Sequence, residues 1–266
     1  IAGYSNLSRD HLDYHGTLQA YAEAKSALFK FESLKVAVIN LDDAHAHIMI
    51  DAARNNPSQP EILTYSTRQA ADYQVQDIQY SISGAAFKLK TASAEYVVNS
   101  PLLGHFNIEN LVASLIMAEQ AGFDLSSLIA TVPQLKGAPG RMQVLRDGER
   151  LFVVDYAHTP DALTQVLITL KRHVAQNLWA VFGCGGDRDR GKRPLMTQAA
   201  LEGSDITVLT SDNPRTEDPA QIFADMKNGI DFLGKSYHEI HDRREAIKFV
   251  VKHAQAGDIV VIAGKG

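Results

Sequence analysis

The most constraining feature lies in the second half of the chain, where short apolar runs alternate with helical stretches and each run opens straight into a polar loop. Leu151-Phe152-Val153-Val154-Asp155 runs into Tyr156-Ala157-His158-Thr159-Pro160. Leu178 to Phe182 runs into Gly183-Cys184-Gly185-Gly186-Asp187-Arg188-Asp189-Arg190-Gly191-Lys192-Arg193. Ile206 to Thr210 leads to Ser211-Asp212-Asn213-Pro214-Arg215, and Ile259 to Ala263 leads to Gly264-Lys265-Gly266. Helical patterns fall between them, around residues 160–172, 193–202, 219–233 and 243–254. Continuously apolar strands separated by helices predict a doubly wound α/β domain with a mainly parallel sheet. In such a sheet ligands bind at the carboxyl ends of the strands, so all four loops are expected to face one crevice.

The first half reads differently. Thr17 suits a helix N-cap, and Leu18, Tyr21, Leu28 and Phe31 after it fall at helical spacing and predict an apolar face. Lys35 to Leu41 predicts a buried strand ending in Asp42-Asp43, followed by a helix over 44–55. From about 61 to 100, alternating stretches such as Phe87-Lys88-Leu89-Lys90 predict an antiparallel sheet with hairpins. Asn107 to Ala121 predicts a helix stopped by Gly122. Pro133, Gly137, Pro139 and Gly140 then break the pattern and place a domain boundary, giving domains 1–138 and 139–266. A chain of 266 residues accommodates two ordinary domains.

Net charge is -5 with the two signs interspersed, which argues against nucleic acid as a partner. The single cysteine, Cys184, excludes an intrachain disulfide and suits a reducing, cytoplasmic setting. No apolar run reaches membrane-spanning length, so no membrane partner is expected, and a monomer is the default. The chain opens on Ile1 and closes on Gly264-Lys265-Gly266, both inside continuing patterns, so a fragment of a longer protein is expected.

Several constellations could carry chemistry. Arg188, Arg190, Lys192 and Arg193 cluster in a strand-to-helix loop, near Arg215 of the next loop. Such a cluster is a solvated charge run or, with two forked guanidiniums, a clamp for a carboxylated small molecule; the glycine-rich setting favours the clamp. Asp10-His11-Leu12-Asp13-Tyr14-His15 offers oxygen and nitrogen ligands suited to Mg²⁺ or Mn²⁺, or is an exposed loop. Lys25 lies beside the predicted apolar face of its helix, where it either snorkels or is buried with a lowered pKa. A neutral amine can take up carbon dioxide, and the carbamate is an anionic metal ligand. Asn107 and Asn110 share a helix face, as caps or as partners of a base or sugar. Arg141, in Pro139-Gly140-Arg141, is placed to reach a phosphate.

In their order along the whole chain, these motifs resemble the Mur ligases: Ser5 to Asp13, Tyr21-Ala22-Glu23-Ala24-Lys25, Gly104 to Asn110, Pro139-Gly140-Arg141 and Asp155 to Pro160. The resemblance implies an incomplete central ATP-binding domain with added antiparallel strands, then a Rossmann-like amino-acid-binding domain. The Gly183 loop and Asp212-Asn213-Pro214-Arg215 are similar to members that join meso-diaminopimelate to UDP-N-acetylmuramoyl-L-alanyl-D-glutamate, with ATP and Mg²⁺, in peptidoglycan synthesis. It implies that His11 and a carbamylated Lys25 bind the metal and, with His158, serve catalysis. Asn107 and Asn110 lie near adenine, Arg141 contacts phosphates and Asp155 the ribose. Arg193, Asp212, Asn213, Arg215 and Gly264 hold the diaminopimelate.

The family's glycine-rich phosphate loop is absent from these residues, as is its N-terminal uridine-nucleotide domain, so the chain alone is expected not to turn over. The rival readings are a folylpolyglutamate synthase-type ligase and a non-catalytic ligand-binding module.

Overall fold

A computed structural model describes residues 1–7, 15–140 and 142–264. The chain divides into two compact units, one of Ile1–Gln79 with Ala85–Leu135 and one of Tyr80–Gly84 with Lys136–Gly266.

In the first unit, β1 (Ala2–Tyr4) is followed by α1 (Leu18–Ser26), a 3₁₀ turn over Ala27–Lys30, β2 (Val36–Asn40), α2 (Ala46–Arg54) and β3 (Glu61–Ser66). Then come β4 (Tyr73–Ser81), β5 (Gly84–Lys90), β6 (Glu95–Ser100), α3 (His105–Gln120) and α4 (Leu125–Thr131). The six strands form one sheet in sequence order. Every residue of β2 is buried, as expected for a strand covered on both faces. Ala37 and Ile39 meet Met49 and Ala53 of α2 and Phe29 of the 3₁₀ turn in a single core cluster. Gly3 of β1 is a close-approach position, since a Cβ there would lie 2.8 Å from Met117 Sδ of α3.

Two expectations change here. β3 is parallel to β2 and to β4, while β5 and β6 are antiparallel, paired from Ala85↔Ser100 to Lys90↔Glu95. For the β2–β3 pair the reason is α2, which carries the chain back across the sheet so that β3 starts in the same direction as β2. In α1 the buried face is Ala22 and Ser26, continued by Phe29, while Leu28 and Phe31 are exposed. The α-helix ends at Ser26 and the tighter 3₁₀ turn rotates the following side chains off the 3.6-residue stripe. Thr17 does cap α1, its hydroxyl accepting from Ala20 N at 3.1 Å.

In the second unit the order is β7 (Gln143–Asp147), β8 (Arg150–Asp155), α5 (Pro160–Lys171), β9 (Leu178–Phe182) and α6 (Lys192–Gly203). There follow β10 (Ile206–Leu209), α7 (Pro219–Lys227), β11 (Tyr237–Glu239), α8 (Arg243–His253) and β12 (Ile259–Ala263). The sheet runs β11-β10-β9-β12-β8-β7, parallel throughout except for the β7 edge. β9 is buried at all five positions. Alternate residues Trp179 and Val181 join Val208 and Val260 in a core under Ala246 and Val250 of α8. Asp258, just before β12, is buried and accepts from Trp179 Nε1, Asn177 N and Gln255 N, which ties the far end of the sheet together.

Three of the helices that follow these strands, α5, α7 and α8, carry side-chain caps, from Thr159, Asp218 and Asp242. Thr159 Oγ1 accepts from Ala162 N and Pro160 stands at the first helical position of α5, both favourable starts. Thr159→Ala is expected to cost about 1 kcal/mol of stability. Denaturant unfolding followed by Trp179 fluorescence reads this, and an unchanged midpoint would remove the cap from the account.

Candidate functional site

The four strand-end loops of the second sheet do meet at one cavity of ≈ 220 Å³. Tyr156 and His158 line it after β8, Gly183 to Gly185 with Arg188 after β9, Asp212 and Arg215 after β10, and Gly264 after β12. The loops approach one another so closely because of two glycines. A Cβ on Gly183 would stand 2.4 Å from Thr210 O and 2.9 Å from Asp212 N, so the β10 loop can cross the end of β9 only over a glycine. A Cβ on Gly186 would stand 1.8 Å from Pro214 O, again a backbone atom that cannot swing aside.

The two loops are then stitched together. Gly186 N donates to Asn213 O at 2.9 Å. Asp187, at φ +52°, takes the Thr216 hydroxyl on Oδ1 at 2.8 Å, and its own N donates to Glu217 Oε1 at 2.6 Å. Arg215 is also left-handed, at φ +50°, and its Nη1 donates to Gly186 O at 2.6 Å, which fixes the guanidinium at the cavity wall.

Arg193 lies at the second position of α6 and its side chain is 2% exposed. Nη1 donates to Glu217 Oε2 at 2.9 Å and Asp225 Oδ2 at 2.6 Å; Nη2 donates to Glu217 Oε1 at 2.7 Å and Gly185 O at 3.2 Å. Arg190 adds a bond to Glu217 Oε2 at 2.9 Å. These charged donors, Arg193 first, hold the Glu217 carboxyl down at about 2. Arg193 therefore touches the cavity as a buried strut between the two loops, with both terminal nitrogens already engaged. Arg188 is different: it is exposed, lines the cavity, and among the described residues its one hydrogen bond is to its neighbour's carbonyl, Asp187 O, at 3.5 Å.

The remaining walls have distinct chemistry. His158 Nδ1 lies 2.9 Å from Tyr156 O, and a carbonyl can only accept, so Nδ1 carries the proton and Nε2 is the acceptor of the neutral ring. Burial pushes the Cys184 thiol up to about 12, making it a neutral wall and a poor nucleophile. Gly264 adopts φ +96° and donates its N to Asp155 O at 3.1 Å. Asp155 itself is buried, with Oδ1 accepting from Ala157 N and Oδ2 from Met142 N, both at 2.8 Å. Asn213 is exposed and serves the turn, its Oδ1 accepting from Arg215 N at 3.2 Å.

In the first unit, Lys25 is exposed on α1, with Nζ 4.9 Å from the Tyr21 ring centre, so it is not the buried amine that was one of two expectations. Asn107 is half-buried and donates to Leu103 O at 2.7 Å, while Asn110 is exposed. Neither caps a helix, because α3 starts two residues earlier, at His105. His11 and Arg141 lie outside the described residues.

Sequence reasoning missed Glu217 and Asp225 as the partners of the basic cluster, and with them the strut that Arg193 forms. A signal was there: Arg193, Met196, Thr197, Ala200 and Leu201 fall at helical spacing and are all buried, which marks Arg193 as a core-face residue.

Two protein-family profiles match the chain: the Mur ligase middle domain over residues 1–118, and the Mur ligase glutamate ligase domain over residues 140–266. A curated relative from Ectopseudomonas mendocina, UDP-N-acetylmuramoyl-L-alanyl-D-glutamate--2,6-diaminopimelate ligase, is 44% identical over 100% of this chain and 54% of its own length. The chain thus spans about half the length of the curated relatives it matches. A solved structure of a ligase with the same name is 74% identical, with a TM-score of 0.83 over 99% of this chain and 54% of that one. A folylpolyglutamate synthase from Thermotoga maritima shares the fold at 18% identity, with a TM-score of 0.71 over 97% of this chain and 56% of that one.

Proposed function

Because the chain belongs to the Mur ligase family, we propose that its second unit is the amino-acid-binding part of an ATP-dependent ligase that joins meso-diaminopimelate to UDP-N-acetylmuramoyl-L-alanyl-D-glutamate in peptidoglycan synthesis. The names of the relatives support the substrates. The observation that carries the reading is the cavity itself, which sets two guanidiniums, Arg188 and Arg215, against the Asp212 carboxylate. Diaminopimelate has an amino-acid head at each end. Guanidinium forks suit its carboxylates, and Asp212 suits an ammonium. Arg188 takes the ligand role that the sequence had suggested for Arg193, since Arg193 is occupied. Gly264 and Asn213 shape the wall and the turn.

In the proposed reaction the D-glutamyl carboxylate attacks the γ-phosphorus of ATP and ADP leaves. The amine then attacks the acyl phosphate, a C–N bond forms, and phosphate departs with the C–O electron pair. Asn107 and Asn110 are proposed to meet adenine, Asp155 the ribose, and Arg141 the phosphates. His158 presents an acceptor nitrogen at the amino-acid cavity. Lys25, exposed on α1, is proposed as a carbamate to hold Mg²⁺ with His11. The ion supplies charge neutralisation when bound. Among the described residues no group of three or more His, Cys, Asp or Glu side chains could hold a metal, so this part rests on the His11 segment.

Calorimetry of the 266-residue chain with meso-diaminopimelate, L-lysine and L-glutamate tests the reading. Diaminopimelate is expected to bind at least about tenfold more tightly than lysine, which leaves Arg215 without its carboxylate. Equal binding of lysine would undo the Arg215 assignment, and a preference for glutamate would favour the folate-type ligase that shares this fold.

A further inference from the structure

We propose that Arg243, the first residue of α8, is a positioning residue of the amino-acid pocket that acts through Asp212. The inference rests on the reading of the cavity as a diaminopimelate site.

The start of α8 is an unfavourable place for a cation, because the aligned peptide dipoles leave positive charge at a helix N-terminus. The anionic Asp242 just before it, whose Oδ1 accepts from Glu245 N at 2.9 Å, is what that position ordinarily calls for. Arg243 is nevertheless turned inward. Its Nη2 donates to Ala263 O at 2.9 Å, and its Nη1 is buried with no hydrogen-bond acceptor among the described residues. A buried guanidinium nitrogen left without an acceptor is costly and calls for a compensating interaction.

Asp212 supplies one. Ser211 N donates to His241 O at 3.1 Å, which seats the start of α8 directly against the Asp212 loop. Burial weakens the hold of Arg243 on its proton, and the Asp212 charge opposes that loss, so the two groups are in electrostatic reach. The geometry on the other side agrees. Ala263, which Arg243 grips, precedes Gly264, and a Cβ placed on Gly264 would lie 3.9 Å from Asp212 Oδ2. Asp212 and Gly264 line the cavity, whereas Arg243 does not. Arg243 thus stands behind the wall and does two things at once: it holds the end of β12, and it sets a positive charge behind the carboxylate that is to receive an ammonium. Gly183 makes this possible, because without a side chain there the Asp212 loop can lie across the end of β9 towards Gly264.

The test is a double-mutant cycle on the full 266-residue chain, reading meso-diaminopimelate affinity by calorimetry and folding by the Trp179 transition. Arg243→Met is expected to weaken binding about tenfold, and Arg243→Lys to recover part of that loss. Asp212→Asn is expected to weaken binding by at least as much. If Arg243 acts through Asp212, the double variant loses little beyond Asp212→Asn alone. Losses that multiply in the double variant, or Arg243→Met binding within twofold of the parent, would overturn the assignment. Failure of the parent chain to bind diaminopimelate is a separate result: it overturns the reading of the cavity, and this assignment falls with it.

Discussion

Arg193→Ala is expected to lower the stability of the second unit by roughly 3–5 kcal/mol, the usual consequence of breaking a buried ion pair from one side. The side chain is 2% exposed and bonds Glu217, Asp225 and Gly185 O together, so alanine leaves two carboxylates facing a void. The chain's one tryptophan, Trp179, sits in β9 of this unit and reports its denaturant transition without interference from the other. Lys192→Ala, next door but exposed, is expected to stay within about 0.5 kcal/mol. An Arg193→Ala loss as small as that would show that the strut carries no weight. The same network has a pH signature. With its carboxyl held at about 2, Glu217 contributes stability that is fully present above the ordinary carboxylate range. That contribution is lost only as the pH falls towards 2, so the two loops should stay joined in mild acid.

Gly186→Ala is expected to weaken diaminopimelate binding by up to about a hundredfold, matching the 1–3 kcal/mol typical of overpacking. The new methyl would stand 1.8 Å from Pro214 O and 2.6 Å from Pro214 C, and both belong to the backbone. The loops must part, and Arg215, anchored on Gly186 O, moves with them. Calorimetry measures the loss, and the Trp179 transition of the same variant separates it from general unfolding. An alanine variant that binds as the parent does would mean that the spacing of the loops is immaterial to the site.

Much of this was legible in the sequence, for a specific reason. β8, β9, β10 and β12 are apolar runs that end abruptly in Gly, Asp and Arg, and a parallel sheet leaves such runs only one arrangement. The convergence of Asp212, Arg215, Gly264 and His158 on one cavity follows from that topology alone. What was not legible depends on long-range partners. Arg193 and Arg188 are five positions apart in one loop and look alike as residue types. Only the carboxylates of Glu217 and Asp225, which arrive from α7 and the turn before it, make one a strut and the other a cavity wall. In the first unit, the 3₁₀ turn at Ala27 rotated Phe29 inward and Phe31 outward, a change that spacing by 3.6 cannot register. β11, three residues long and held by β10, carries too short a pattern to be read at all.

The stitched pair of loops also bears on the entropy of binding. Asp187, Arg215 and Glu217 are held by bonds within the two loops, so on the proposed reading an incoming amino acid would find little conformational entropy left to surrender. A cavity of this kind selects by refusal. On that reading it would not mould itself around lysine to rescue the unmet guanidinium, and the energetic penalty for the wrong guest would fall in full on the guest.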